Sequence, residues 1–490
     1  EQAGFLRAVR VGGSAAVAVG DEPVDVVLAG GVVADIAPTG VLAPTGAVID
    51  GQGARVVPGL WDHHVHTVQW ALRAQRFALD GAATATEAAM LAAAAETLPD
   101  GRVVGAGFRD GLWPDAPTLA LLDATTGERP TYLINADVHS VWLNSAAFRR
   151  EGFIAPEDGM LREHDAFEIS RRLNATDDAT ADVAVADAAV AAAARGITGL
   201  VDFDMAWNAD AWQRRAASGL DVHRVEFAVY PAGLQRAIDE GLRSGELLPG
   251  TDGLVRMGPL KLISDGSLGT RTAACTHAYD GDPQNFGVLT ISPDDLRELL
   301  TSATGSGLDV AVHAIGDRAV ASALDAFTFT QARGTIEHAQ LVRHADLARF
   351  AHLGVAASVQ PEHAVDDRDL AGGLWAGQQA IGYPVASLLA AGVEVRFGSD
   401  APVAPLDPWL TMAAAVHRTG DDRGPWHPEE RVSVEAALRA SSRHGRTEVE
   451  IGGVADLVLC GTDPFTTTRE GLRDMPVGAT LLGGRVTHLG

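Results

Sequence analysis

Lysine is nearly missing from this sequence: of 38 basic side chains 37 are arginine, and Lys261 stands alone. A position that keeps an amine where arginine is used everywhere else is a candidate for chemistry closed to guanidinium, because an amine can lose its proton and react. Cysteine is as scarce. Cys275 and Cys460 are the only two, which excludes a disulfide framework and suits a reducing cytoplasm. Cys275 has no neighbouring base and reads as a small buried residue. Positive charge is in short supply overall, with a net charge of −26, so nucleic acid and anionic membrane surfaces are excluded as partners. No run of about 18 uncharged apolar residues occurs, so no membrane span is expected. The alanine-rich stretches 88–95 and 184–194 are interrupted or flanked by charge and read as helices. No charged-then-apolar leader opens the sequence, and the expected location is cytoplasmic. A Gly-x-Ser-x-Gly turn is absent, which argues against a serine hydrolase. So is a glycine-rich phosphate turn after the first strand, which argues against an open doubly wound sheet.

What is present is a recurring unit. At 490 residues, with 47% hydrophobic and 21% charged side chains, the chain can bury a large domain and a smaller one. From about residue 190, alanine- or leucine-rich helical stretches end at a glycine, and a short β-prone run follows that finishes in a polar residue. The units are Gly196–Asp204, Pro259–Asp265, Gly307–His313, Gly334–His338, Gly354–Gln360 and Gly392–Asp400. With an earlier strand at Val56–His66 they make seven of the eight strands of an α/β fold, a (β/α)8 TIM barrel. The missing strand is expected between residues 100 and 140, at Arg102–Ala106 or Thr131–Asn135. Barrel enzymes carry their chemistry at the carboxyl ends of the strands, where the polar residues of these units fall. The chain ends look different: short alternating runs over 1–55 and 452–490 point to a small β-sandwich domain built from both termini. Residues 56–451 would then be the barrel, with an insertion over the site within about 67–190.

Six side chains stand out. In Pro58-Gly-Leu-Trp-Asp-His-His-Val-His66, residues two apart on a strand share a face, so His64 and His66 point together and His63 points away. Four later strands end in Lys261, His313, His338 and Asp400. Singly, each has a bland reading: strand histidines are often satisfied core residues, and Asp400 could cap a helix. Together, imidazoles and a carboxylate at successive strand ends are a metal-ligand set, and that donor mixture suits zinc.

The surrounding words carry a resemblance. His64-x-His66, Lys261, His313, His338 and Asp400 match the metal-ligand order of the amidohydrolase superfamily. Lys261-Leu-Ile-Ser-Asp-Gly-Ser-Leu-Gly-Thr-Arg-Thr-Ala, His313-Ala-Ile-Gly-Asp-Arg-Ala, Ile336-Glu-His-Ala-Gln, Ser358-Val-Gln-Pro-Glu-His and Asp137-Val-His-Ser-Val-Trp-Leu-Asn-Ser-Ala resemble the branch called amidohydrolase family 3, which includes N-substituted formamide deformylases. Val138 replaces the glycine usual in that last motif, and Thr198–Met205 is looser than the family form; both departures bear on substrate. The resemblance implies two divalent cations, zinc by preference. His64 and His66 with Asp400 would bind the first, His313 and His338 the second, and a CO2-derived carbamate on Lys261 would bridge them. An unmodified Lys261 in a one-metal site is the alternative. The implied reaction is hydrolysis of an amide-type C–N bond, in an N-formyl or N-acyl amine, by hydroxide generated between the cations, with Asp400 moving the proton. A deaminase or cyclic-imide hydrolase on the same barrel, and a non-catalytic metal-binding scaffold, are the competing functions. Candidate substrate contacts are Ser267, Leu268 and Arg271 in the glycine-rich loop after Lys261, together with His139, Trp142, Gln360 and His363. A homodimer is the expected assembly.

Overall fold

The computed structural model describes residues 2–11, 22–44, 46–73, 76–98, 100–174 and 177–490. The parts of the expected terminal β domain and insertion that fall on residues 1, 12–21, 45, 74–75, 99 and 175–176 lie outside this set. Eight parallel strands form the barrel: β1 (Leu60–Val65), β2 (Ile197–Asp202), β3 (Arg224–Val229), β4 (Val255–Ile263), β5 (Val310–Ala314), β6 (Gly334–His338), β7 (Ala356–Val359) and β8 (Val395–Phe397). Each pairs with its neighbour in chain order. The ring closes where Val65 bridges Ala401 in parallel, with the Asp400 N–H donating to the His64 carbonyl (2.8 Å) and the His66 N–H to that of Ala401 (2.8 Å).

These sequences become buried strands for a simple reason. β5, Val-Ala-Val-His-Ala, is buried at every position, as a strand flanked by sheet and covered by helices must be. The helices that cover the barrel start and stop on local signals. Ser292 accepts the Asp295 N–H ahead of helix Pro293–Gly305, and Gly354, left-handed at φ 65°, ends helix His344–Leu353.

Two strand expectations need correction. Neither Arg102–Ala106 nor Thr131–Asn135 belongs to the barrel. Strands Val103–Phe108 and Thr131–Asn135 are neighbours in a separate five-stranded mixed sheet, with Phe77–Ala78, Ser140–Leu143 and Met160–Arg162. The eighth barrel strand is β3, which sequence reading passed over because Arg224 and Glu226 interrupt its apolar pattern. Both charges are paired at its amino-terminal end, Arg224 with Asp456 (2.6 Å) and Glu226 with Arg443 (2.7 Å). The run Val56–His66 is likewise two strands. Arg55–Pro58 pairs with Leu457–Cys460 and with Ala3–Val11 in the terminal sheet, and β1 begins after Gly59. A Cβ at Gly59 would lie 2.3 Å from the Thr198 hydroxyl, so only glycine lets the chain pass from one sheet to the other.

The terminal sheet runs in the order Arg485–Leu489, Val477–Leu482, Leu457–Cys460, Arg55–Pro58, Ala3–Val11, Val24–Ala29, Val32–Pro38, with Ala47–Asp50 beside Ala3–Val11. Its core joins Val9, Val26 and Val33 to Leu457, Ala479 and Leu481, so the two ends of the chain share one apolar interior. Among the described residues, no helix is long and apolar enough to cross a membrane.

Candidate metal centre

The barrel brings the carboxyl ends of β1, β4, β5, β6 and β8 to one mouth, and with them His64, His66, Lys261, His313, His338 and Asp400, all buried. Asp400 is the hub. Its Oδ1 lies 3.4 Å from His64 Nε2 and 3.3 Å from His66 Nε2, and its Oδ2 lies 4.0 Å from both His338 Nδ1 and His363 Nε2. Two triplets of ligand atoms therefore share one carboxylate: His64, His66 and Asp400, and His338, His363 and Asp400. The His313 ring stands 4.4 Å from that of His338, with its Nε2 3.3 Å from the Gly266 carbonyl. Lys261 is 2% exposed; its Nζ lies 3.3 Å from His64 Nε2 and 4.2 Å above the Phe203 ring. No carboxylate pairs with it among the described residues.

Neighbouring groups hold these donors in place. His64 Nδ1 meets Glu337 Oε2 at 2.7 Å, and Glu337 also accepts from the Thr335 hydroxyl. That contact turns His64 Nε2 towards Asp400 and fixes the tautomer. His338 Nδ1 lies 2.8 Å from Gln360 Oε1. Asp62 accepts the N–H groups of His64 (3.0 Å) and Ser399 (2.9 Å), tying β1 to the turn that carries Asp400. His338 and Asp400 sit at φ 71° and 59°, a left-handed backbone that non-glycine residues adopt at a cost of about 1–3 kcal/mol and that clusters at functional sites.

Electrostatics favour cation binding. Burial and the Lys261 charge lower the His64 pKa to about 4, and burial with neighbouring His313 holds His338 well below its usual value. Both imidazoles are thus neutral donors at pH 7. Burial raises Asp400, but His64, His66 and His338 outweigh it, and the carboxyl stays well below its ordinary range. Burial also brings Lys261 down to about 8, so a free amine is accessible near neutrality. The chemistry of this donor set fits divalent cations. His363 Nε2 is buried without a hydrogen-bond partner among the described residues and faces Asp400, as an unfilled ligand would.

The substrate candidates divide. His139 lines both cavities that meet at the centre, one of 340 Å³ and one of 60 Å³; its Nδ1 is 3.0 Å from Glu163 Oε2. Ser267, Leu268 and His363 line the smaller cavity. Gln360 reaches the site only through His338. Trp142 is corrected: it is fully buried in the insertion core, packed edge-on to Trp113 at 6.5 Å, and lines neither cavity. Its strand turns that side chain inward to the insertion's own sheet. Arg271 is corrected too. It is exposed and lines a separate 460 Å³ cavity beyond Gly269. Sequence reasoning missed Glu337, Glu163, Asp137, Asp204, Tyr230 and Gln69. Glu337, Asp137 and Asp204 were within reach: Glu337 directly precedes His338, Asp137 opens the motif 137–146, and Asp204 ends the β-prone unit Gly196–Asp204. Glu163, Tyr230 and Gln69 have no local signal, because the insertion and neighbouring barrel loops converge only in the fold.

A parallel barrel with imidazoles, a carboxylate and one amine converging at its carboxyl mouth defines a metal-dependent hydrolase. The chain belongs to the amidohydrolase family, whose model matches residues 47–488. It is 28% identical over 484 residues to the Arabidopsis thaliana protein LONG AFTER FAR-RED 3, covering 89% of this chain and 82% of that one. It is 26% identical over 511 residues to an N-substituted formamide deformylase from Arthrobacter pascens, covering 91% and 90%. A solved structure of a metal-dependent hydrolase from Pyrococcus furiosus aligns with a TM-score of 0.72 at 25% identity, over 94% of this chain and 99% of the other.

Proposed function

We propose that the protein hydrolyses a C–N bond of amide type, in an N-formyl or N-acyl amine, with two divalent cations, zinc by preference. The observation that supports this most is the sharing of Asp400 between two sets of imidazoles beside a buried amine that contacts His64 and pairs with no carboxylate among the described residues. His64, His66 and Asp400 would hold one cation, and His313 and His338 the other, with His363 on the same side of Asp400 as His338. Lys261 would join them as a carbamate: its neutral amine adds to CO2, one N–C bond forms and one proton leaves, and the product offers two oxygens where guanidinium offers none. Bound there, the cations supply Lewis acidity, lowering the pKa of water towards about 7 and polarising a carbonyl.

The chain's own groups do the rest. Asp400 Oδ2, ionised and facing the space between His338 and His363, takes a proton from the attacking water and gives it to the departing nitrogen. Amide and water thus become carboxylic acid and amine. Phe167 and Met205 line the larger cavity beside these charged groups. The deformylase named above acts, by its name, on N-substituted formamides, and the small cavity beside a larger, mostly apolar one suits a short acyl group with a bulkier nitrogen substituent.

The test is metal analysis of purified protein, followed by a screen of N-formyl and N-acyl amines before and after chelation. Two equivalents of metal and chelator-sensitive release of amine are expected. Amide hydrolysis that survives complete chelation would refute the reading, and one equivalent with release of ammonia from a ring would favour the deaminase alternative.

A further inference from the structure

The larger cavity is lined by two polar side chains, Gln69 and Ser170, that make no side-chain hydrogen bond among the described residues. Outside the metal centre, most of its polar side chains are already engaged. Asp137 accepts from the Ser267 hydroxyl at 2.7 Å, and Tyr230 donates to the Phe203 carbonyl at 2.7 Å. Arg171 is paired with Glu168 at 2.8 Å, His139 with Glu163, and Asp204 accepts the Val68 N–H. Asn174 accepts from Arg76. Gln69 and Ser170 are the exceptions.

Gln69 is 7% exposed, on the helix Thr67–Arg73 that begins directly after the His64–His66 strand, and its amide makes no hydrogen bond among the described residues. Ser170 is 6% exposed, and its Oγ is buried without a partner among the described residues. It lies on the insertion helix His164–Asn174, whose Phe167, Ser170, Arg171 and Asn174 fall at the three- and four-residue spacing of one face and line the same cavity. The two helices pack together. A buried hydroxyl without a partner costs free energy unless something satisfies it, and Ser170 lies in the wall of the same cavity that Gln69 lines. The walls around them, Val68, Val138, Phe167, Met205, Ala206 and Ile263, are apolar.

We infer that Gln69 and Ser170 are specificity-determining residues that bind a hydrogen-bonding group, such as a hydroxyl or carboxamide, on an otherwise apolar nitrogen substituent of the substrate. The inference rests on the amide-hydrolase reading for its chemistry. An amide side chain both donates and accepts, so it matches either polarity of such a group, and a site built to make that bond rejects analogues lacking it.

The experiment uses the full-length, metal-loaded enzyme and a matched panel: the N-acyl derivative of 2-phenylethylamine, and its ortho-, meta- and para-hydroxy isomers. The acyl group is the one wild type removes fastest. At least one hydroxylated isomer is expected to exceed the parent in kcat/KM by about tenfold to a hundredfold. Gln69→Leu and Ser170→Ala should each reduce that ratio by about tenfold while leaving the parent's kcat/KM within a few-fold. Calorimetric binding of the corresponding free amines reads the same contact without turnover, and Ser170→Ala serves should Gln69→Leu fail to fold. A wild type that prefers the parent over every isomer, or variants that leave the ratio unmoved in both measurements, would overturn the inference. Absence of any amide hydrolysis by wild type would instead refute the proposed reaction, and the calorimetric ratio would still decide the role of Gln69 and Ser170.

Discussion

Replacing Lys261 with methionine separates the two things a buried amine can be, a structural liability or a working part. Nζ has no carboxylate partner among the described residues, and burial lowers its pKa from 10.5 to about 8. Holding the charged form inside therefore costs the metal-free protein about 3 kcal/mol. The folded state binds the proton less tightly than the unfolded one, so the penalty is full below pH 8 and fades as pH rises from 8 towards 10.5. Methionine has nearly the same reach and no charge, and replacing buried ionic groups by apolar ones of like volume is often stabilising. Metal-stripped Lys261→Met should accordingly melt higher than metal-stripped wild type at pH 7. At about 2.1 cal/mol/K per residue the unfolding entropy of a chain this long makes 3 kcal/mol worth about 3 °C. The gain should shrink as pH approaches 10. The same variant should lose amide hydrolysis and bind at most one cation tightly. Scanning calorimetry of stripped protein at two pH values, metal analysis and turnover together make the assay. Retention of two cations with full activity would remove Lys261 from the centre. A lower melting temperature would show that the amine is stabilised in the fold, contrary to its contacts.

Two other substitutions probe the hub and its support. Asp400→Asn removes the charge shared by both imidazole sets, and turnover should fall by about 10²- to 10⁴-fold, with a smaller loss of bound metal; full activity in steady-state kinetics would exclude Asp400 as the proton carrier. Glu337→Gln keeps the shape but weakens the 2.7 Å contact that orients His64, so metal affinity in chelator competition should drop about 10- to 100-fold; unchanged affinity would show that the barrel backbone alone aims the ring.

Much of the centre was legible in the chain because its determinants are local. Alternation along a strand puts His64 and His66 on one face whatever the rest of the chain does, and a β/α barrel gathers strand ends at one mouth. Five imidazole and carboxylate residues and the solitary lysine could therefore be named from spacing and residue type. His363 could be noticed in the motif after Ser358, but its approach to Asp400 depends on how helix Pro361–Asp366 leaves β7. That is a tertiary matter.

The chain by itself thus determined the barrel's periodic core and the residue types at its strand ends with their order, since each follows from neighbours a few residues apart. Only the tertiary structure decided which strand was the eighth, which way Trp142 turns, and that Gln69 and Ser170 line one cavity. Those outcomes depend on packing between segments up to 232 residues apart, and β3 shows why: its charges look wrong for a strand until Asp456 and Arg443 arrive to neutralise them.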